Sequence, residues 1–258
     1  MTINASLDTV LQALRTSAER LQGLVAPLPP SQFEDRAYPT EWTVADVLSH
    51  LGSAAVITRR RIDDDLAGRP MPDEFPKSVW DEWNAKSPTE KVHDGLAAGQ
   101  ALVERIEATN DDERSRFRVS FGPVEVDLTA LVGLRLNEHA MHTWDIEVVG
   151  DPAATLPADA AEIIVDNLEL IGRFTAKPTG GDRTINVHTS APSRRFAIVL
   201  TPDTATFGPG NAGQSPDIEM SAEAFSRLVY GRLDAQHTPA FDCDVGALDE
   251  LRRVFPGP

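Results

Sequence analysis

The chain has 258 residues, 41% apolar and 25% charged, enough to bury a sizeable core in one large domain or two small ones. Its formal net charge of -16 argues against nucleic acid or an anionic membrane as partner, because nothing in bulk neutralises phosphates. The single cysteine, Cys243, excludes an intramolecular disulfide and a cysteine-rich zinc site, and fits a reducing compartment.

The opening MTINASLDTVLQAL has no basic n-region and no apolar h-region, and no later run approaches a membrane span. The expectation is a cytoplasmic protein. Residues 5–25 set Leu7, Val10, Leu11, Leu14, Leu21 and Val25 close to an i, i+3, i+4, i+7 stripe, which predicts a first helix ended by Pro27, Pro29 and Pro30. Thr43 with Asp46 three residues on resembles a capping box. It opens a second helix along Val44, Val47, Leu48, Leu51, Ala55, Ile62 and Leu66, stopped by Gly68 and Pro70. His50 flanks that apolar stripe and can point into a bundle interior.

Residues 69–87 carry Pro70, Pro72 and Pro76 and read as a loop, with Trp80 and Trp83 either roofing a pocket or anchoring the segment. Ser87, Pro88 and Glu90 start a third helix that runs to about Thr109, and residues 110–113 read as a polar break. Phe117, Val119 and Phe121, then Gly122 and Pro123, then Val124 and Val126 suggest two short strands about a turn. A fourth, amphipathic helix is expected from about Asp127 or Leu128 to Val149. Four helices of these lengths suggest a four-helix bundle over residues 1–150.

Beyond residue 151 the pattern changes to a helix at 157–176 and strand-like runs at 184–189, 195–200, 204–207 and 218–220. Helices follow at 222–233 and 245–255. Strands bracketed by helices predict an α+β domain over 151–258.

The fourth helix carries the chemistry. Glu138 and His142 are four residues apart and share one helix face, so a carboxylate and an imidazole can grip one cation. A third ligand would complete a tetrahedral site with one open position, the plan of a catalytic zinc, and His50 is the candidate. The plainer alternatives are an ordinary semi-buried His50 and an ion pair from Glu138 to Arg135 one turn earlier. His139 points about a hundred degrees away from Glu138. His93, His188 and His237 have no evident company and read as structural or exposed. Asp145, three residues after His142, suits either orienting that ligand or a surface role.

Two segments resemble a known family. Trp42–Leu51, WTVADVLSHL, and Asn137–Ile146, NEHAMHTWDI, are similar to the histidine and glutamate/histidine segments of the mycothiol-dependent maleylpyruvate isomerase family, a group of DinB-like metalloproteins. Thr143 stands where the isomerase pattern has glycine, and Asn137 is polar where the pattern is apolar. The resemblance implies a DinB-like four-helix bundle holding zinc through His50, Glu138 and His142, followed by a smaller α/β domain distantly like sterol-carrier domains. The segment PDIEMSAEAFSRLVYGR resembles that domain's closing strand–helix unit, and it carries over Arg232 as the candidate for the catalytic arginine facing the metal, the alternative being a plain helix-end cation. The function implied is a zinc-dependent isomerase or S-transferase that uses mycothiol as a low-molecular-weight thiol against a small electrophile. A metal-assisted hydrolase and a non-catalytic carrier of a metal or apolar ligand remain the alternatives.

Overall fold

The helix boundaries follow from their caps. In the computed structural model, which describes residues 5–38, 41–121, 124–241 and 243–257, Ser6 Oγ accepts from the Thr9 amide and starts α1 (Leu7–Val25). Thr43 and Asp46 form a reciprocal capping box at the head of α2 (Val44–Leu66), with the Asp46 amide 3.1 Å from Thr43 Oγ1. A second box, Ser87 with Glu90, opens α4 (Pro88–Glu107). Asp127 caps α6 (Leu128–Gly150) through the Ala130 amide at 2.8 Å. Each box satisfies backbone N–H groups that the first helical turn leaves without partners.

These four helices pack in a ring, α1 on α6 and α4, and α2 on α4 and α6. Their apolar stripes meet in a core that includes Val10, Leu14, Leu21, Leu48, Leu51, Leu102, Ile106, Leu136 and Met141. The approach of α2 to α4 depends on two glycines. A Cβ on Gly95 would stand 2.6 Å from the Leu48 carbonyl oxygen, and one on Gly52 would stand 2.8 Å from Gly95 Cα.

Two segments expected to be irregular are helical. Within the segment read as a loop, residues 75–85 form a helix, α3 (Phe75–Ala85), packed on α2. Pro76 falls in its first turn, where a missing N–H costs nothing, and Val79 and Trp83 one turn apart supply its buried side. The polar break is in fact a short helix, α5 (Asp111–Arg116), closed by an Asn110–Glu113 capping box. Strands β1 (Val119–Phe121) and β2 (Val124–Val126) pair antiparallel, and the Gly122–Pro123 turn between them lies outside the described residues.

The chain divides into two compact units, Met1–Ala154 and Thr155–Pro258. The second begins with α7 (Ala158–Thr175). Strands β3 (Arg183–Ser190), β4 (Arg194–Leu200), β5 (Ala205–Pro209) and β6 (Ile218–Ser221) form one sheet in the order β5-β4-β3-β6. The first three are an antiparallel meander, and β6 runs parallel to β3. Ile185, Val187, Phe196, Ile198 and Phe207 alternate onto the buried face. Helices α8 (Ala222–Val229) and α9 (Val245–Val254) complete the unit, bringing Phe225 and Phe255 against Phe207. The sequence extends α8 to Leu233, but the helix stops at Val229. Gly231 takes a left-handed φ of +70°, and its Cα face lies against Gly257, where a Cβ would meet Gly257 Cα at 2.1 Å.

Gly95→Ala should therefore destabilise the bundle, although alanine is the better helix former. The steric cost of forcing α2 and α4 apart, about 1–3 kcal/mol, is set against a propensity gain of about 1 kcal/mol. Denaturant unfolding should show a net loss, and a variant at least as stable as wild type would contradict this packing.

Candidate metal centre

Helix α6 is buried on nearly all sides, so most of its polar residues, Glu138 excepted, face other helices rather than water. This corrects the expectation of an amphipathic helix with one apolar face. Glu138 and His142, one turn apart, look toward α2, where His50 meets them. His50 Nε2 lies 3.4 Å and His142 Nε2 3.8 Å from Glu138 Oε2. One ligand atom from each of the three residues lies within 4.8 Å of the other two. Two donors bound to a tetrahedral zinc at ~2.0–2.1 Å stand about 3.3–3.4 Å apart. The nitrogen and oxygen positions are thus within a few tenths of an ångström of that spacing on both histidine–carboxylate edges, and the donor set suits zinc.

The surroundings prepare these atoms. His142 Nδ1 is 2.8 Å from Oδ2 of Asp145, which is buried. A buried carboxylate favours the proton on Nδ1, leaving Nε2 with its lone pair directed at the cluster. For Glu138, burial pushes the carboxyl pKa up, but the hydrogen bond from His50 and the charges of His142, His50 and Arg135 outweigh it, holding the value down at about 2. Its side chain is 43% exposed, so solvent screens part of that attraction.

Arg135 and His139 occupy other sides of the same helix. Arg135 is buried and donates from Nη2 to the Leu51 carbonyl at 2.6 Å; desolvation lowers its pKa to about 10 while Glu138 opposes the fall. His139 is turned toward α1, with Nδ1 2.9 Å from Ser17 Oγ. Burial first, and then the charges of Arg135 and His142, push its pKa down to about 3, so it stays neutral and structural. His93, His188 and His237 lie outside the cluster.

A cleft of about 340 Å³ opens beside the cluster, with His50, Trp42, Ser53, Trp80 and Asn84 among its lining residues. Trp83, beneath it, is buried against Gly52, whereas Trp80 is 51% exposed at the rim. Sequence reasoning left open whether these tryptophans cover a pocket; α3 makes both of them, with Asn84, part of one. Trp80 and Asn84 share one face of α3. Their spacing of four is the helical signal that the prolines obscured. Arg232 belongs to the second unit. It is buried in the turn after α8, donating from Nη1 to the Tyr230 carbonyl at 2.8 Å and from its backbone amide to the Arg227 carbonyl at 2.7 Å.

Comparison with known proteins bears on this geometry. The family model described as the mycothiol maleylpyruvate isomerase N-terminal domain matches residues 14–147, more than half of the chain and a span that includes all three clustered residues. The chain belongs to this family. A crystal structure of the mycothiol-dependent maleylpyruvate isomerase is similar in fold to it, with a TM-score of 0.65 at 16% identity, covering 90% of this chain and 92% of that one. A histidine-to-alanine variant of the same isomerase gives the same TM-score at 15% identity. An uncharacterized protein of Mycobacterium tuberculosis is 25% identical over 265 residues, 95% of this chain and 94% of that protein. The family and the fold likeness agree on a DinB-like helical bundle followed by a sheet-containing C-terminal unit. Among the described residues, no helix is long and apolar enough to cross a membrane.

The depressed value of Glu138 has a definite sign. The interactions that hold it charged stabilise the fold fully above its ordinary value of 4.5 and are lost as pH falls through about 2. Carboxyl-carbon NMR on metal-free protein should show one glutamate titrating well below the rest, absent in Glu138→Gln. A Glu138 midpoint near 4.5 would contradict the assigned surroundings.

Proposed function

We propose that this chain is a metal-dependent, mycothiol-using enzyme of the maleylpyruvate isomerase type, with zinc held by His50, Glu138 and His142. The observation that carries the reading is the convergence of one oxygen and two nitrogens within 4.8 Å of one another, on residues inside the matched family segment. Zinc in that corner would favour the deprotonated form of a thiol such as mycothiol, whose sulfur would supply the nucleophile for reversible addition to an electrophilic double bond or for S-transfer.

The protein's own residues do the rest. Glu138 stays a carboxylate across the physiological range and offsets part of the charge of a divalent cation. Asp145 holds the His142 tautomer that leaves Nε2 available. The cleft next to His50 gives a cosubstrate a walled approach, with the polar side chains of Ser53 and Asn84 beside the indoles of Trp42 and Trp80. The lone cysteine belongs to the second unit, at a bridge to Ile218, so a thiol supplied from outside fits the chain's composition. Arg232 is assigned to stabilising the negative charge that develops on the electrophile; the support is its place in the Gly-Arg ending of the family-like segment.

The test is consumption of mycothiol in the presence of maleylpyruvate and of simple electrophiles, comparing metal-free with zinc-loaded protein. Isomerisation or thiol loss is expected only with zinc. Turnover that ignores the thiol would favour metal-assisted hydrolysis, and binding without turnover would favour a carrier. Arg232→Ala should keep the metal and lower turnover by at least about tenfold; unchanged kinetics would remove Arg232 from the site.

A further inference from the structure

The two histidines of the cluster are not held alike. His142 has Asp145 on its second nitrogen. For the His50 imidazole, the contacts among the described residues are the Nε2 approach to Glu138 and two ring contacts, and none of the described residues hydrogen-bonds its Nδ1. Metal-binding histidines almost always have that second nitrogen tied to a carboxylate, a carbonyl or water, because this fixes the plane of the ring. Among the described side chains, the ring contacts are what can fix the plane of His50.

Trp42 stands where such a support is needed. Its indole lies 5.2 Å from the His50 ring, tilted by 48°, and stacks almost parallel on His142, at 5.5 Å and 18°. The two imidazoles are 4.7 Å apart and edge-to-face. Three rings thus form one block, with both ligand planes set against the same indole. Trp42 is 36% exposed, whereas the core tryptophan Trp144 is 1% exposed, so filling the core does not account for its position.

The backbone around Trp42 is fixed from several directions. Its carbonyl accepts from the Ala37 amide at 2.9 Å, and Thr43 bridges to Arg36. Arg36 Nη1 donates to the Glu41 carbonyl at 2.9 Å. The amide of Tyr38 donates to the Asp145 carbonyl at 2.8 Å, tying this segment to α6 at the residue that orients His142. The capping box of α2 begins at the next residue, Thr43. An indole anchored at both α2 and α6 can keep a histidine from each helix in register.

We propose that Trp42 is a positioning residue for the metal ligands, holding both imidazole planes against one indole while forming the adjacent wall of the cleft. This rests on the metal reading given above. It assigns Trp42 a function through the two imidazoles and separates it from a simple lid, which would affect access and leave affinity unchanged.

The experiment measures zinc affinity against a chromophoric chelator, with tryptophan emission followed in parallel, for wild type, Trp42→Ala and Trp42→Phe. Thermal melting of the metal-free forms checks folding. Trp42→Ala is expected to lose about tenfold or more in zinc affinity, and Trp42→Phe, which keeps a flat ring, to recover most of it. The wild-type emission change on zinc addition should be absent in Trp42→Phe, although its zinc still binds. Wild-type affinity in a folded Trp42→Ala would overturn the proposal, as would a folded Trp42→Phe as weak as Trp42→Ala. If Trp42→Ala does not fold, the Phe variant alone decides: near-native affinity with the emission change gone supports the proposal, and weak affinity overturns it. A wild-type protein that takes up no zinc would overturn the metal reading and this inference with it; zinc bound equally by wild type and Trp42→Ala would overturn this inference alone.

Discussion

Helix α6 runs through the interior of the bundle and still carries Arg135, Glu138, His139, His142 and Asp145 within eleven residues. Burying such groups costs several kcal/mol each unless they find partners. Much of the local architecture follows from meeting that demand. Arg135 takes the Leu51 carbonyl, His139 takes Ser17 of α1, and His142 takes Asp145. Glu138 is left facing two imidazoles, with Arg135 as the nearby cation that helps keep it charged. A hydrophobic helix of the same shape would be easier to bury. Retaining the polar stripe makes sense if one side of it has a cation to hold.

The same constraint explains how two distant segments meet. His50 lies 88 residues before Glu138. The capping box at Thr43 sets where α2 begins, and Asp127 sets where α6 begins, so the two phases are fixed locally before the helices pack. Gly52 and Gly95 let α2 settle against α4, while Trp83 covers Gly52 from α3. The cleft beside His50 takes its walls from α2, α3 and Trp42 just before the α2 cap.

Much of this was legible in sequence because it depends on short-range rules. The 3.6-residue stripes of α1, α2 and α4, the caps at Thr43 and Ser87, and the i, i+4 pair Glu138/His142 are written within a turn or two of chain. What was illegible depends on neighbours. Prolines 70, 72 and 76 suggested a loop, yet Pro76 is harmless in a first turn and α3 forms because Val79 and Trp83 have α2 to pack on. The all-round burial of α6 could not be inferred from its mixed composition, since Asn137 and Thr143 are polar and Asp145 suited a surface role as well as an orienting one until its partners are placed. The same holds for Trp42, a motif letter in sequence whose ring contacts with two histidines appear only in three dimensions. In the second unit the strand pattern was clear, while the end of α8 was misplaced because Gly231 acts through its fit against Gly257 at the far end of the chain.

The central claim is that His50, Glu138 and His142 act together on one ion. Elemental analysis of protein purified without chelators, wild type beside Glu138→Ala, addresses it most directly. About one zinc per chain in the wild type, lost in a variant that remains folded, is the expected result. A full metal equivalent retained by Glu138→Ala, or none in wild type even after incubation with zinc, would contradict the account.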